Sequence, residues 1–212
     1  MTRLTPRFTE AIEYARMAHD GQIQKGTRIP YLAHLLGVAS LVLEFGGSED
    51  QAIAGLLHDV VEDRGLEHEP IIRERFGDAV ADMVMDCTDG SAEQKIAADT
   101  PEAKKADWWK RKLDYLQHLH QEPEASLLVG GCDKLYNARC IVRDLKDPSV
   151  GTTVFDRFTA GREGTLCYYE SISRVLIHRK APTAEIFEGV VAQMHELAGE
   201  KSRLPLEHAV QA

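Results

Sequence analysis

The sequence predicts an all-α protein. Three observations carry this: apolar residues recur at helical rather than alternating spacing, the periodic segments run for about 12–20 residues, and Gly, Pro, Asp and Ser punctuate them. Thr5-Pro6 reads as an N-cap followed by proline at the first helical position, where a missing N–H costs nothing. It opens a helix whose Phe8, Ile12, Ala15 and Ala18 share one face as far as Asp20-Gly21. A loop spans 21–30, and a second helix runs over 31–45 until Gly46-Gly47 stops it. Ser48 with Gln51 three residues on has the form of a capping box for a third helix, expected to continue through Asp63 until Gly65 interrupts it. Shorter helices are expected over 70–76 and 78–87. The stretch 88–106 is polar and poor in apolar periodicity, so it reads as a mobile loop or lid. Helices resume over 107–121, 123–146, 161–179 and 183–198, with a frayed tail after Gly199. No repeat, Pro-rich linker or low-complexity tract divides the chain. The expected organisation is one compact helical domain over 1–180, with a C-terminal helix and tail over 181–212.

With 212 residues, 43% apolar and 28% charged, the chain has the composition of an ordinary soluble globular protein and is long enough to bury a core without staples. Asp and Glu number 34 against 25 Lys and Arg, a formal charge of −9. That field repels phosphate polymers and anionic membranes, so neither is an expected partner, while a small anion in a local basic pocket remains compatible. The four cysteines, Cys87, Cys132, Cys140 and Cys167, lie far apart with no C-x-x-C pair, which excludes a local zinc knuckle or redox motif and fits reduced thiols. The opening residues lack the apolar region of a signal peptide, and no stretch approaches the ~18 apolar residues of a membrane span. The expected location is cytoplasmic, and the sequence leaves the oligomeric state open, a homodimer being compatible.

The strongest chemical signal is His58-Asp59-Val60-Val61-Glu62-Asp63, which ends the apolar run over 52–57. On a helix His58 would lie over Glu62, and Asp59 over Asp63. An imidazole and a carboxylate at the end of a buried helix suit a divalent metal, and the further acids could orient or deprotonate a water. A solvated acidic helix end with a capping histidine is the plainer alternative, and these residues alone leave the two open. His34 lies among apolar residues in the second helix, as a satisfied core histidine would. Asp133 ends the apolar run over 127–132, where a carboxylate is costly to bury unless it is paired or metal-bound.

The order His34, His58-Asp59, Asp133 along an all-α chain resembles the HD phosphohydrolase superfamily. Gln24-Lys25-Gly26-Thr27, Pro30-Tyr31 with His34, the segment over 58–63, Phe76-Gly77, Cys87-Thr88-Asp89 and the run Asp133 to Arg139 narrow the likeness. Together they resemble the hydrolase domain of RelA/SpoT-type alarmone enzymes over roughly residues 5–178, above all stand-alone small alarmone hydrolases. The long enzymes' synthetase domain would need several hundred further residues, so hydrolysis rather than synthesis is expected. The resemblance implies a compact HD-domain helical bundle with a C-terminal helical extension, which removes the 3′-pyrophosphate of guanosine tetra- or pentaphosphate. It implies one Mn²⁺ per chain held by His34, His58, Asp59 and Asp133, with Glu62 and Asp63 activating or positioning the nucleophile.

For substrate the resemblance implies contacts from Lys25, Tyr31, Lys134, Asn137 and Arg139, from the basic pair Arg111 and Lys112, and from Tyr168, with Tyr169 competing for that role. For Lys134 and Arg139 a salt bridge or a solvated charge is an equal alternative. The sequence departs from the family pattern at Gln24, where a cation is common, at Cys132, where alanine usually precedes the aspartate, and at Cys167, often a tryptophan. None of these removes a ligand. Two other functions stay open: an HD phosphatase acting on another nucleotide, such as a 3′-phosphorylated dinucleotide, and a non-catalytic nucleotide sensor.

Overall fold

The structure is a computed structural model and describes residues 2–88 and 100–206. Regular structure among them is helical: α1 (Pro6–Ala18), α2 (Leu32–Glu44), α3 (Glu49–Leu57), α4 (Val60–Arg64), α5 (His68–Phe76), α6 (Asp78–Cys87), α7 (Pro101–Leu119), α8 (Glu124–Lys146), α9 (Gly161–His178) and α10 (Ala184–Leu197), with a 3₁₀ helix at Gly151–Arg157. Extended pairing among the described residues is confined to an antiparallel bridge between Ile23 and Pro30. The expected caps form. Thr5 Oγ1 accepts from the Arg7 N–H at 3.3 Å. The capping box at α3 closes both ways, Ser48 Oγ accepting from Gln51 N–H at 3.2 Å and Gln51 Oε1 accepting from Ser48 N–H at 2.8 Å.

Three expectations need correction. The tail after Gly199 is not frayed over 200–206: Leu206 is buried and its N–H donates to Ser171 Oγ at 2.8 Å, while Arg203 Nε donates to Glu170 Oε2 at 2.8 Å. The third helix does not run unbroken through Asp63. Asp59 adopts φ −94°, ψ −5°, which flattens the backbone out of the helical ladder between α3 and α4. The loop expected over 88–106 is also too long, because α7 begins at Pro101. Thr100 Oγ1 accepts from Ala103 N–H at 3.1 Å, a repeat of the Thr-Pro start at α1, hidden in the sequence by the polarity of the turn that follows. The rest of that expectation, over 89–99, lies outside the described residues.

The chain forms two compact units, Met1–Ala97 with Glu122–Tyr136, and Ala98–Gln121 with Asn137–Ala212. The first has a core of Leu35, Val38 and Val42 from α2, Ile53, Leu56 and Leu57 from α3, and Ile72, Phe76, Val80 and Val84 from α5 and α6, all buried. Each such side chain stabilises the fold by about 1.5–3 kcal/mol relative to exposure. α2 and α3 cross closely at Gly55, where a Cβ would just touch Ala39 Cα at 3.4 Å. In the second unit Leu116 and Leu119 of α7, Ile172 and Leu176 of α9, and Phe187, Val191 and Met194 of α10 are buried. The Tyr169 and Phe187 rings stack between α9 and α10, with centroids 6.1 Å apart. All four cysteines are free. No helix among the described residues is long and apolar enough to cross a membrane.

Candidate active site

Three segments of the first unit converge on one point. His34 sits in the first turn of α2, His58 and Asp59 lie at the junction of α3 and α4, and Asp133 is in α8. The close crossing at Gly55 and Ala39 brings the end of α3 beside the start of α2, and the two imidazole Nε2 atoms stand 3.3 Å apart. Asp59 Oδ2 lies 3.3 Å from His34 Nε2 and 3.0 Å from His58 Nε2. Asp133 Oδ1 lies 3.3 and 3.5 Å from the same two nitrogens. His34, His58 and Asp133 are buried, and the Asp59 side chain is 17% exposed.

This donor set fits a divalent metal. Bonds of about 2.1 Å place neighbouring ligand atoms about 3.0 Å apart in an octahedron and about 3.4 Å apart in a tetrahedron. The spacings here cover the same range. His58 Nδ1–H donates to the Gly55 carbonyl at 3.0 Å, which turns Nε2 toward the cluster in the tautomer a metal ligand requires. Three of the four side chains, His34, His58 and Asp59, hold donor atoms within 4.8 Å of one another, and Asp133 closes the group from α8.

Electrostatically, each of the two carboxylates faces both imidazoles. Burial alone would raise the Asp133 carboxyl, but the Lys134 ammonium and then His34 and His58 hold it well below the usual carboxylate range. Asp59 behaves alike: burial opposes its charge, and the His58 charge with hydrogen bonds from both imidazoles overcomes it. Burial pushes both histidines down, yet the two carboxylates lift them above the ordinary value. Lys134 Nζ is 2.6 Å from Asp133 Oδ2, so one carboxylate oxygen serves the lysine and the other faces the imidazoles.

Around the cluster, the Tyr31 hydroxyl donates to Asp59 Oδ2 at 2.5 Å. Tyr31 is therefore engaged on the Asp59 carboxylate, a contact that the sequence did not reveal. Tyr136 packs its ring edge-on to His34, with centroids 5.0 Å apart, over a helix surface kept open by Gly37. Asp63 lies one turn beyond Asp59, its N–H donating to the Asp59 carbonyl at 2.9 Å, so the expected pairing survives the break in the helix. Its Oδ2 accepts from Gln22 Nε2 at 2.8 Å. Glu62 is half-buried in α4, and Lys25 is exposed in the loop before α2.

The other expected substrate residues belong to the second unit. Arg111 Nε is bonded to Asp107 Oδ2 at 2.8 Å, and Lys112 Nζ lies 5.1 Å from the centre of the Tyr168 ring. Tyr168 is buried and makes edge-on ring contacts with both Trp108 and Tyr169. Asn137 is half-buried one turn along α8 from Asp133, and Arg139 is exposed. Sequence reasoning missed Gln22, His19, Arg64 and Tyr136. Of these only Tyr136 lies within a quoted motif, the run Asp133 to Arg139, and nothing in the sequence pointed to its contact with His34.

Comparison with known proteins agrees with this geometry. A model of the HD-domain family matches residues 11–166. Guanosine-3′,5′-bis(diphosphate) 3′-pyrophosphohydrolase MESH1 of Xenopus tropicalis is 34% identical over 140 residues, 65% of this chain and 68% of that protein. A probable chloroplastic GTP diphosphokinase, RSH2 of Arabidopsis thaliana, is 31% identical over 134 residues, 62% of this chain but 18% of its own length. The chain thus spans about two thirds of the first relative and under a fifth of the second. A solved structure described as a metazoan ortholog of SpoT that hydrolyzes ppGpp shares the fold, with TM-score 0.65 over 91% of this chain and 98% of that one at 21% identity. The stretch matched by the family model carries His34, His58, Asp59 and Asp133 in their converged arrangement, so the chain belongs to the HD-domain family, and its 34% identity over 68% of the Xenopus protein places it among the RelA/SpoT-type hydrolases.

Proposed function

We propose that this protein hydrolyses the 3′-pyrophosphate of guanosine 3′,5′-polyphosphates, releasing pyrophosphate with GDP from the tetraphosphate or GTP from the pentaphosphate. The observation that carries the reading is the cluster of two imidazoles and two carboxylates, with Glu62 and Asp63 one turn beyond it on α4. Two nitrogens and two hard oxygens favour Mn²⁺ or another octahedral divalent ion over a closed zinc site, and the proposal takes one Mn²⁺ per chain. When bound, the ion acts as a Lewis acid on phosphate oxygen and acidifies a water toward neutral pH.

The chain's own residues do the rest. Water adds at the phosphorus joined to the ribose 3′-oxygen, and the bond between them breaks. Glu62 and Asp63 position the water and accept the one proton it sheds, which is passed on to the departing 3′-oxygen, so the products are a free 3′-hydroxyl and pyrophosphate. Lys25, Arg111, Lys112, Asn137, Arg139 and Tyr168 contact the nucleotide in this reading. Lys134 acts on Asp133, and Tyr31 on Asp59, through the contacts already described.

The test is turnover of guanosine tetra- and pentaphosphate and of 3′-phosphorylated dinucleotides by the purified protein, with Mn²⁺, with other divalent ions and with chelator. Pyrophosphate release from the guanosine substrates, abolished by chelator, is expected. Orthophosphate release from the dinucleotides alone would favour an HD phosphatase of different specificity, and binding without turnover would favour a sensor. Either outcome refutes the proposal.

A further inference from the structure

Gln22 has no part in the reaction scheme above, yet its contacts leave it no freedom of orientation. Its Oε1 accepts from Arg64 Nη2 at 2.5 Å, and a guanidinium can only donate, so the amide cannot be reversed. Nε2 is therefore the atom 2.8 Å from Asp63 Oδ2, and it donates there. The same Oε1 lies 2.9 Å from His19 Nδ1, which must carry the proton and donate as well. His19 is buried, and that burial draws its pKa down, in keeping with a neutral ring serving as a fixed donor. Its face lies against Tyr31, with ring centroids 5.1 Å apart.

The backbone ties this arrangement to the metal cluster. Tyr31 N–H donates to the Gln22 carbonyl at 2.9 Å, and Gln24 N–H to the Ile29 carbonyl at 2.9 Å, on either side of the bridge between Ile23 and Pro30. Gln22 and Tyr31 are thus the paired ends of one small loop. Each end holds one acid of the α3–α4 segment, Gln22 on Asp63 and Tyr31 on Asp59. Among the described residues Asp63 Oδ1 accepts no hydrogen bond, so it is the oxygen left to receive a proton.

We infer that Gln22 is a positioning residue for the hydrolysis: its amide, locked by His19 and Arg64, occupies Asp63 Oδ2 and leaves Oδ1 as the proton acceptor. The inference rests on the reading of Asp63 as an acceptor of the water's proton. Gln22→Met keeps the side-chain length and removes every polar contact. Gln22→Glu keeps Oε1 for Arg64 and His19 but replaces the donor facing Asp63 with a second acceptor. Both are measured alone and combined with Asp63→Asn, using guanosine tetraphosphate and Mn²⁺, with kcat, KM, bound metal and thermal unfolding recorded for each.

Either Gln22 variant alone should lose about 10- to 100-fold in kcat, the scale of an outer partner's loss, with KM and metal content within about twofold. In the Asp63→Asn background neither should cost anything further, because the group it acts through is gone. If Gln22→Met fails to fold, Gln22→Glu decides; if Asp63→Asn has no readable turnover, the split between kcat and KM in the single variants decides. Near-normal kcat in Asp63→Asn would overturn the role of Asp63 and this inference with it. A damaged Asp63→Asn beside a fully active Gln22→Met, or the same loss in both backgrounds, or a loss falling on KM or metal content, would overturn the inference alone.

Discussion

The Tyr31 hydroxyl donates to Asp59 Oδ2, the same oxygen that lies 3.0 Å from His58 Nε2 and 3.3 Å from His34 Nε2. Burial, then the Asp59 charge and this hydrogen bond, push the phenol's pKa upward, so it stays a donor at any working pH. Tyr31→Phe removes that donor and little else. The variant should fold normally and bind Mn²⁺ about 10- to 100-fold more weakly, as measured by competition with a chelator. Unchanged metal affinity with a raised KM would instead assign the hydroxyl to the nucleotide.

His58→Ala and Asp133→Ala should each abolish stoichiometric metal, because each deletes one of four donors and leaves buried charge unpaired. Elemental analysis of the purified variants is the measurement. Retained Mn²⁺ in either variant would remove that residue from the ligand set, and stoichiometric zinc at a cysteine-containing site would refute the whole assignment.

Glu62→Gln separates proton transfer from metal holding. Glu62 lies one turn beyond His58 and outside the converged cluster, so its amide form should keep the ion and the fold. Turnover should fall about 10²-fold or more, the scale of a lost general base, while nucleotide affinity changes far less. Normal turnover would leave Asp63 as the base; loss of metal would place Glu62 among the ligands.

Metal-free protein should respond to pH in a defined sense. His34 and His58 are held above the ordinary histidine value of 6.5, so their stabilisation is complete below that value and is lost as pH rises through the folded values. Asp59 and Asp133 are held below 3.8, so theirs is present above it and is lost as pH falls through their folded values. Stability without metal should therefore be greatest between these two ordinary values and decline above 6.5. Metal takes the place of the imidazole protons, so its stabilisation should grow over the interval where they are shed. Thermal unfolding with Mn²⁺ and with chelator, at about pH 6 and about pH 8, checks this. A gap in Tm that does not widen with pH would mean the histidines are already neutral.

Much of the architecture was legible where local chemistry dictates it. Thr5-Pro6 and the Ser48–Gln51 box act through atoms two or three residues away, and both caps form as read. Thr100-Pro101 carried the same signal as Thr5-Pro6, but the polar turn after it gave no apolar stripe to confirm a helix. The flattening at Asp59 had no local marker, since the leucines before it and the valines after it are compatible with a continuous helix. His34, His58, Asp59 and Asp133 were readable only as an ordered pattern, because their convergence depends on the α2–α3 crossing and on α8. Gln22 was illegible for a similar reason: its partner lies 41 residues away, and nothing in its neighbours announces that contact.

The paired loop between Gln22 and Tyr31 also limits how this protein can change. Its two ends are anchored on the acids of the α3–α4 segment, and Gln24 and Lys25 lie between those anchors. Gln24 is one of the departures from the family pattern, and Lys25 is among the side chains proposed to meet the nucleotide. With the roles proposed for Lys25 and Asp63, residues 22–31 would form a cassette in which substrate preference and the chemical step are inherited together. Grafting that segment from a relative would move both at once, whereas point changes at Gln24 or Lys25 could retune preference while the anchors stay in place.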